Sequence, residues 1–262
     1  MDYQYILVDV KDRIATVTIN RPEYSNAFAR ESYYEIADAM NTLGARDDVG
    51  VIVITGAGKH FSAGGDIKRF KMLVDTKTYL KAEDIEAVSA MPISIRNCPK
   101  PVIAMINGVA TGAGLSCALA CDFRIVEPSS KMIMAFVNMG LCGDNESIYT
   151  LTRLLGPDKA ELMMMTGDAY KGEQCVKIGL ATVLAEDGKL AETTYALAAK
   201  LASKSSTAHA GQKRLIRKYF YGGMENFAKD EGIEMAANSR QPDFTEAVNA
   251  FIEKRMPVYN QK

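Results

Sequence analysis

The sequence predicts an α/β fold of alternating strands and helices followed by a helical C-terminal region, and three observations carry this. Strand-like runs alternate with helical patterns through the first half of the chain. Two of those runs, residues 51–55 and 102–106, are almost continuously apolar, as parallel strands buried on both faces are. Beyond about Gly140 the strand signal nearly vanishes and helical periodicity takes over.

Taken in order, residues 5–10 and Ile14–Ile19 are alternating or β-branched runs joined by Lys11-Asp12-Arg13, the pattern of a hairpin. Asn20-Arg21-Pro22 breaks the chain, and residues 31–43 then show helical periodicity. A helical pattern over 83–96 is expected to break or kink at Pro92 and to end before Pro99 and Pro101. Phe123–Val126 and residues 132–135 read as shorter strands, and the βαβ rhythm implies right-handed crossovers. Short helices are expected at Ser147–Leu155, Pro157–Thr166 and Gly172–Ile178, and longer ones at Leu190–Ala202, 208–221 and 227–238. Asp243 with Glu246 three residues on has the form of a capping box opening a last helix to about Lys254.

A chain of 262 residues forms one large domain, or one domain with a helical appendage, here divided as a core over 1–200 and a helical region over 201–262. With 48% hydrophobic and 24% charged residues the composition is that of an ordinary globular protein. A net charge of −1 gives no electrostatic reason to expect a nucleic-acid or membrane partner. No apolar run approaches the ~20 residues that span a bilayer, and Met1-Asp2-Tyr3-Gln4-Tyr5-Ile6 lacks a basic segment leading into an apolar one. Cys98, Cys117, Cys121, Cys142 and Cys175 are odd in number and form no Cys-x-x-Cys pair. They read as reduced interior residues of a cytoplasmic enzyme, with no metal site expected.

The candidate chemistry lies in two small-residue turns, each behind an apolar strand. One is His60-Phe-Ser-Ala-Gly-Gly-Asp-Ile-Lys68 and the other Asn107-Gly-Val-Ala-Thr-Gly-Ala-Gly-Leu115. Glycine and alanine let backbone approach a ligand, and turns opening into helices leave N–H groups unpaired. Two such turns meeting in space make a two-donor oxyanion hole for a carbonyl that gains negative charge. Taken singly, the same glycines also read as ligand-free tight turns. No Gly-Lys-Ser/Thr follows either turn, so neither is a Walker-type phosphate loop.

At these residues the chain resembles the crotonase superfamily, also called the enoyl-CoA hydratase/isomerase family. The resemblance runs through Ile19-Asn-Arg-Pro-Glu-Tyr-Ser-Asn-Ala27, Phe61-Ser-Ala-Gly-Gly-Asp-Ile67, Lys100-Pro-Val-Ile-Ala-Met-Ile-Asn-Gly108, Gly112-Ala-Gly114, Ala120-Cys-Asp122, Gly167-Asp168 and Ala250-Phe-Ile-Glu-Lys-Arg-Met-Pro257. It implies a crotonase-like spiral of ββα units with a C-terminal helical trimerisation region, assembled as a homotrimer or dimer of trimers. It implies an acyl-CoA substrate and no separate cofactor, coenzyme A being part of the substrate. By the same resemblance the N–H groups of Gly65 and Ala113 hold the thioester oxygen. Ala27, Ala63, Asp66, Ile67 and Lys68 line the coenzyme A path, and Lys254 meets its phosphates.

The departures from the family pattern narrow the reaction. Hydratases of the family use two glutamates, and Ser116 and Phe136 stand at those positions here. Asp144 falls where branches that move double bonds carry their acid, as in the ring-type enoyl-CoA isomerases. The dehalogenase branch pairs its aspartate with a histidine and a tryptophan. This chain has no tryptophan, and its two histidines are His60 and His209. The leading expectation is therefore an enoyl-CoA isomerase with Asp144 as acid/base and Ser116, Phe136, Met139, Leu141 and Glu146 in the acyl pocket. The apolar residues there are expected to raise the Asp144 pKa.

Each of these residues also has a plainer reading. Asp144 equally fits the N-cap of the helix at Ser147, Glu146 a first-turn glutamate facing the helix dipole, and Ser116 a hydroxyl bonded to its own backbone. The alternative activity is an enoyl-CoA or cyclic dienoyl-CoA hydratase in which Glu146 or Ser116 positions water beside Asp144. A non-catalytic acyl-CoA-binding or scaffold protein is a third. The acyl group is not legible, although residues 71–91, such as Met72, Leu73, Tyr79 and Met91, and the C-terminal helices are expected to surround it.

Overall fold

The computed structural model describes residues 2–260. It opens with the antiparallel hairpin of β1 (Ile6–Lys11) and β2 (Ile14–Ile19). The turn residues Asp12 and Arg13 have φ of 51° and 64°, the left-handed geometry that matches the twist of a two-residue hairpin. Helix α1 (Arg30–Ala45) then buries Ile36, Met40 and Leu43 at helical spacing. Strand β3 (Val51–Gly56) is buried throughout and pairs in parallel with β2.

Helices α2 (Ile67–Asp75), α3 (Ala82–Val88) and α4 (Ala90–Asn97) follow. The segment expected as one helix broken at Pro92 is two helices that meet at Ser89. Pro92 lies in the first turn of α4, where no intrahelical N–H is required, so it helps start that helix instead of interrupting it. Next come β4 (Val102–Met105), β5 (Val109–Thr111), α5 (Ala113–Ala120), β6 (Phe123–Val126) and β7 (Lys131–Ile133). The strand expected at 132–135 thus ends two residues early, and β5 lies inside a stretch that reads as turn.

Helices α6 (Ser147–Leu155) and α7 (Pro157–Thr166) lead to the short strand β8 (Ala169–Lys171), helix α8 (Gly172–Ile178) and strand β9 (Val183–Leu184). Both strands are too brief to leave a period in the sequence. The chain closes with α9 (Leu190–Ala202), α10 (Ser206–Tyr219), α11 (Met224–Asn238) and α12 (Pro242–Glu253).

The larger sheet has the order β1-β2-β3-β4-β6-β9 and is parallel apart from the first hairpin; β5-β7-β8 form a second. The apolar run of β3 is explained by burial on both faces. Ile52 and Ile54 join the main core with Ile36 and Met40 of α1, while Val51 and Val53 join a second cluster with Leu190 and Ala198 of α9. The C-terminal helices fold back onto the segments around the turns, α11 along α3 and α12 along α2, where Phe244 meets Phe70 edge-on at 5.6 Å.

The capping box expected at the start of α12 does not form. The helix begins at Pro242 with Gln241 as cap, so Asp243 already lies within the first turn. Its carboxyl accepts instead from the Asn260 N–H at 2.9 Å, and Glu246 is held by Arg255 and the Val258 N–H. These acids tie down the C-terminal tail. Among the described residues no helix is long and apolar enough to cross a membrane, and all five cysteines are free.

Candidate active site

The two glycine-containing turns emerge from the C-terminal ends of the adjacent strands β3 and β4 and are stitched together. Asn107 accepts from the Thr55 hydroxyl at 3.0 Å and the Gly56 N–H at 3.1 Å, and donates to the carbonyls of Gly56 and Gly58 at 2.8 and 3.0 Å. The Ser62 N–H donates to Val109 at 3.0 Å and the Thr111 N–H returns to Ser62 at 3.1 Å. Two glycines make this approach possible. Gly64 has φ of +85°, and a Cβ there would stand 2.6 Å from the Thr111 carbonyl oxygen; one on Gly114 would stand 2.6 Å from that of Ser62.

Among the described residues, neither the Gly65 nor the Ala113 N–H donates a hydrogen bond. Ala113 is the first residue of α5, whose opening amides have no intrahelical acceptor. Both residues line one cavity of about 180 Å³, and Asp144 lines it too. Its wall is mostly apolar, with Phe28, Ile67, Phe70, Phe136, Met139 and Leu141 near the turns. Leu80, Ile85, Val88, Met235 and Phe251 complete it from α2–α3, α11 and α12.

Asp144 is fixed by its surroundings. Its backbone carbonyl accepts from the Ser116 hydroxyl and the Ser147 N–H, each at 3.2 Å, and one carboxylate oxygen accepts from the Asn145 amide at 2.7 Å. Burial pushes its carboxyl up to about 6, against the opposing pull of that amide and of the Arg69 charge. It is not the helix N-cap. The cap position of α6 is Glu146, two residues on, and no side chain of that segment caps the helix.

Glu146 is not a solvated first-turn glutamate, and it does not line the cavity. It is fully buried, neither carboxyl oxygen has a hydrogen-bond partner among the described residues, and its pKa is pushed up to about 9, first by burial. The cause is backbone geometry. Asn145 and Glu146 have φ of 55° and 51°, and these left-handed steps put Glu146 beside α11, where its N–H donates to Glu231 at 2.7 Å. Ser116, also expected in the acyl pocket, lies outside it and donates to Gly112 as well as to Asp144.

Of the other expected residues, Phe136, Met139, Leu141, Ala63, Asp66 and Ile67 line the cavity. Asp66 also caps α2 through the Lys68 N–H and pairs with Arg21 at 3.1 Å. Ala27 lies behind the wall, its carbonyl accepting from Arg21 at 2.6 Å while its neighbour Phe28 faces the cavity. Lys68 is exposed, its ammonium 4.4 Å from the centre of the Tyr24 ring. Lys254 is exposed at the end of α12, one turn beyond Phe251. Met72, Leu73, Tyr79 and Met91 do not reach the cavity; their neighbours Leu80, Ile85 and Val88 do. Sequence reasoning missed Arg69 and Tyr33, which line it, and Glu231 behind it, because none belongs to a spaced motif.

Residues 9–262 match the family described as enoyl-CoA hydratase/isomerase. The chain belongs to this family. Across the full length of both chains it is 32% identical to the trans-2-decenoyl-[acyl-carrier-protein] isomerase of Streptococcus mutans. It is 29% identical to the 1,2-epoxyphenylacetyl-CoA isomerase of Escherichia coli, over 99% of each. The fold superposes with a TM-score of 0.89 on an enoyl-CoA hydratase from Mycobacterium avium subsp. paratuberculosis, at 26% identity over 99% of this chain and all of that one. The protein is an enzyme of the enoyl-CoA hydratase/isomerase family, with a crotonase-like α/β fold.

Proposed function

We propose that this family member is an enoyl thioester isomerase that shifts a carbon–carbon double bond with one carboxylate. The observation that carries the reading is the presence of two unpaired backbone amides and a single buried acid, Asp144, on one apolar cavity. The amides of Gly65 and Ala113 receive the thioester oxygen of a 3-enoyl substrate and stabilise the charge that develops there. Asp144, ionised at neutral pH, takes the C2 proton, and the electron pair delocalises through the carbonyl and the C3–C4 double bond as a dienolate. The protonated carboxyl returns that proton to C4, leaving the conjugated 2-enoyl thioester and a regenerated carboxylate.

The apolar wall suits an unsaturated hydrocarbon chain. The exposed cations Lys68 and Lys254 suit the phosphates of coenzyme A. Hydration has less support. Ser116 and Phe136 hold the positions of the hydratase glutamates, and Glu146 lies off the cavity. Asp144→Asn is expected to lower kcat by about 10²–10⁴-fold while affinity for an acyl-CoA, read by calorimetry, stays close to that of the wild type. Wild-type turnover by this variant would remove Asp144 from the mechanism.

A further inference from the structure

The turn that carries Asp144 is held by a residue remote in sequence. Asn145 and Glu146 are consecutive non-glycine residues in the left-handed region, at φ of 55° and 51°. Each such residue costs about 1–2 kcal/mol, and a pair persists only where its surroundings fix it. The fixing group comes from α11. One carboxyl oxygen of Glu231 accepts from the Glu146 N–H at 2.7 Å, across 85 residues of chain, while its other oxygen is buried without a partner among the described residues. Because α6 has no side-chain cap of its own, Glu231 supplies an acceptor for one of the donors that the start of that helix leaves open, the Glu146 N–H.

Glu231 itself is firmly seated. It is 4% exposed, and the next residue, Gly232, brings α11 so close to α3 that a Cβ there would stand 2.9 Å from the Ala82 carbonyl oxygen. One turn further on, Met235 forms part of the cavity wall. We propose that Glu231 is a positioning residue: reaching from α11, it clamps the Asn145-Glu146 turn and thereby fixes where the Asp144 carboxyl meets the substrate. This rests on the assignment of Asp144 as the acid/base. Burial lifts the Glu231 carboxyl to about 8, so it is neutral at neutral pH and glutamine reproduces both its shape and its charge.

The test compares E231Q, E231M and E231D by steady-state kinetics on a 3-enoyl-CoA and by hydrogen exchange at the Glu146 amide, with D144N as control. E231Q, which keeps the acceptor, is expected to retain kcat. E231M, without the acceptor, and E231D, one methylene too short, are expected to lose kcat on the order of 100-fold, with KM little changed and the Glu146 amide exchanging faster. If E231M does not fold, E231D decides. Wild-type kcat in folded E231M or E231D overturns the clamp, as does an E231Q as impaired as either of them. An active D144N instead overturns the acid/base assignment, so the two failures are distinguishable.

Discussion

Glu146 shows how much a single residue's surroundings change its chemistry. In sequence it is a helix-opening glutamate; in the fold it is a fully buried acid with neither oxygen partnered among the described residues. Burial above all lifts its pKa from 4.5 to about 9, so the folded chain keeps a proton that the unfolded chain releases above its ordinary value. The contribution of Glu146 to stability is therefore whole below pH 4.5 and is lost progressively as pH rises from there to about 9. Glu146→Gln removes the titration. Its melting temperature is expected to exceed that of the wild type at pH 8, with the gap closing toward pH 5; a gap that does not change with pH would contradict this. The sequence could not disclose the burial, because the two left-handed backbone steps that cause it fall on Asn145 and Glu146 instead of on glycines.

At the scale of elements, what the sequence exposed most clearly was the pair of turns, because close backbone approach demands glycine at fixed places. Gly114 meets Ser62 so closely that a Cβ would stand 2.6 Å from its carbonyl oxygen and 2.7 Å from its Cβ. Both obstacles belong to stiff parts of the opposing turn. Gly114→Ala is expected to destabilise the fold by about 1–3 kcal/mol and to lower kcat/KM by moving the Gly65 and Ala113 amides apart. Urea unfolding with parallel kinetics checks this, and an unshifted midpoint would show that the turns are not rigidly opposed. The buried strands β3 and β4 were equally legible through their apolar runs. β5, β8 and β9 were not, since three or two residues carry no periodicity. Pro92 misled in the other direction, for a proline in a first helical turn carries the same letter as one that breaks a helix.

Across the whole molecule, the site is closed by segments far apart in the chain. The turns supply the amides, the loop before α6 supplies Asp144, and α3, α11 and α12 supply much of the apolar wall. Tyr259 reaches back from the tail to the Asn138 carbonyl at 2.7 Å, bracing the turn that holds Phe136 and Met139. Such long-range contacts leave no local pattern, which is why the turns that line the cavity could be read from the sequence and the far wall and Glu231 could not. The central claim is that one carboxylate on this cavity moves a proton and adds no water. It is tested most directly by incubating a 3-enoyl-CoA, and in parallel a 2-enoyl-CoA, in ¹⁸O-water and separating the products by chromatography before mass spectrometry. A 2-enoyl-CoA of unchanged mass, free of label, is the expected result. A 3-hydroxyacyl-CoA carrying the label would contradict it.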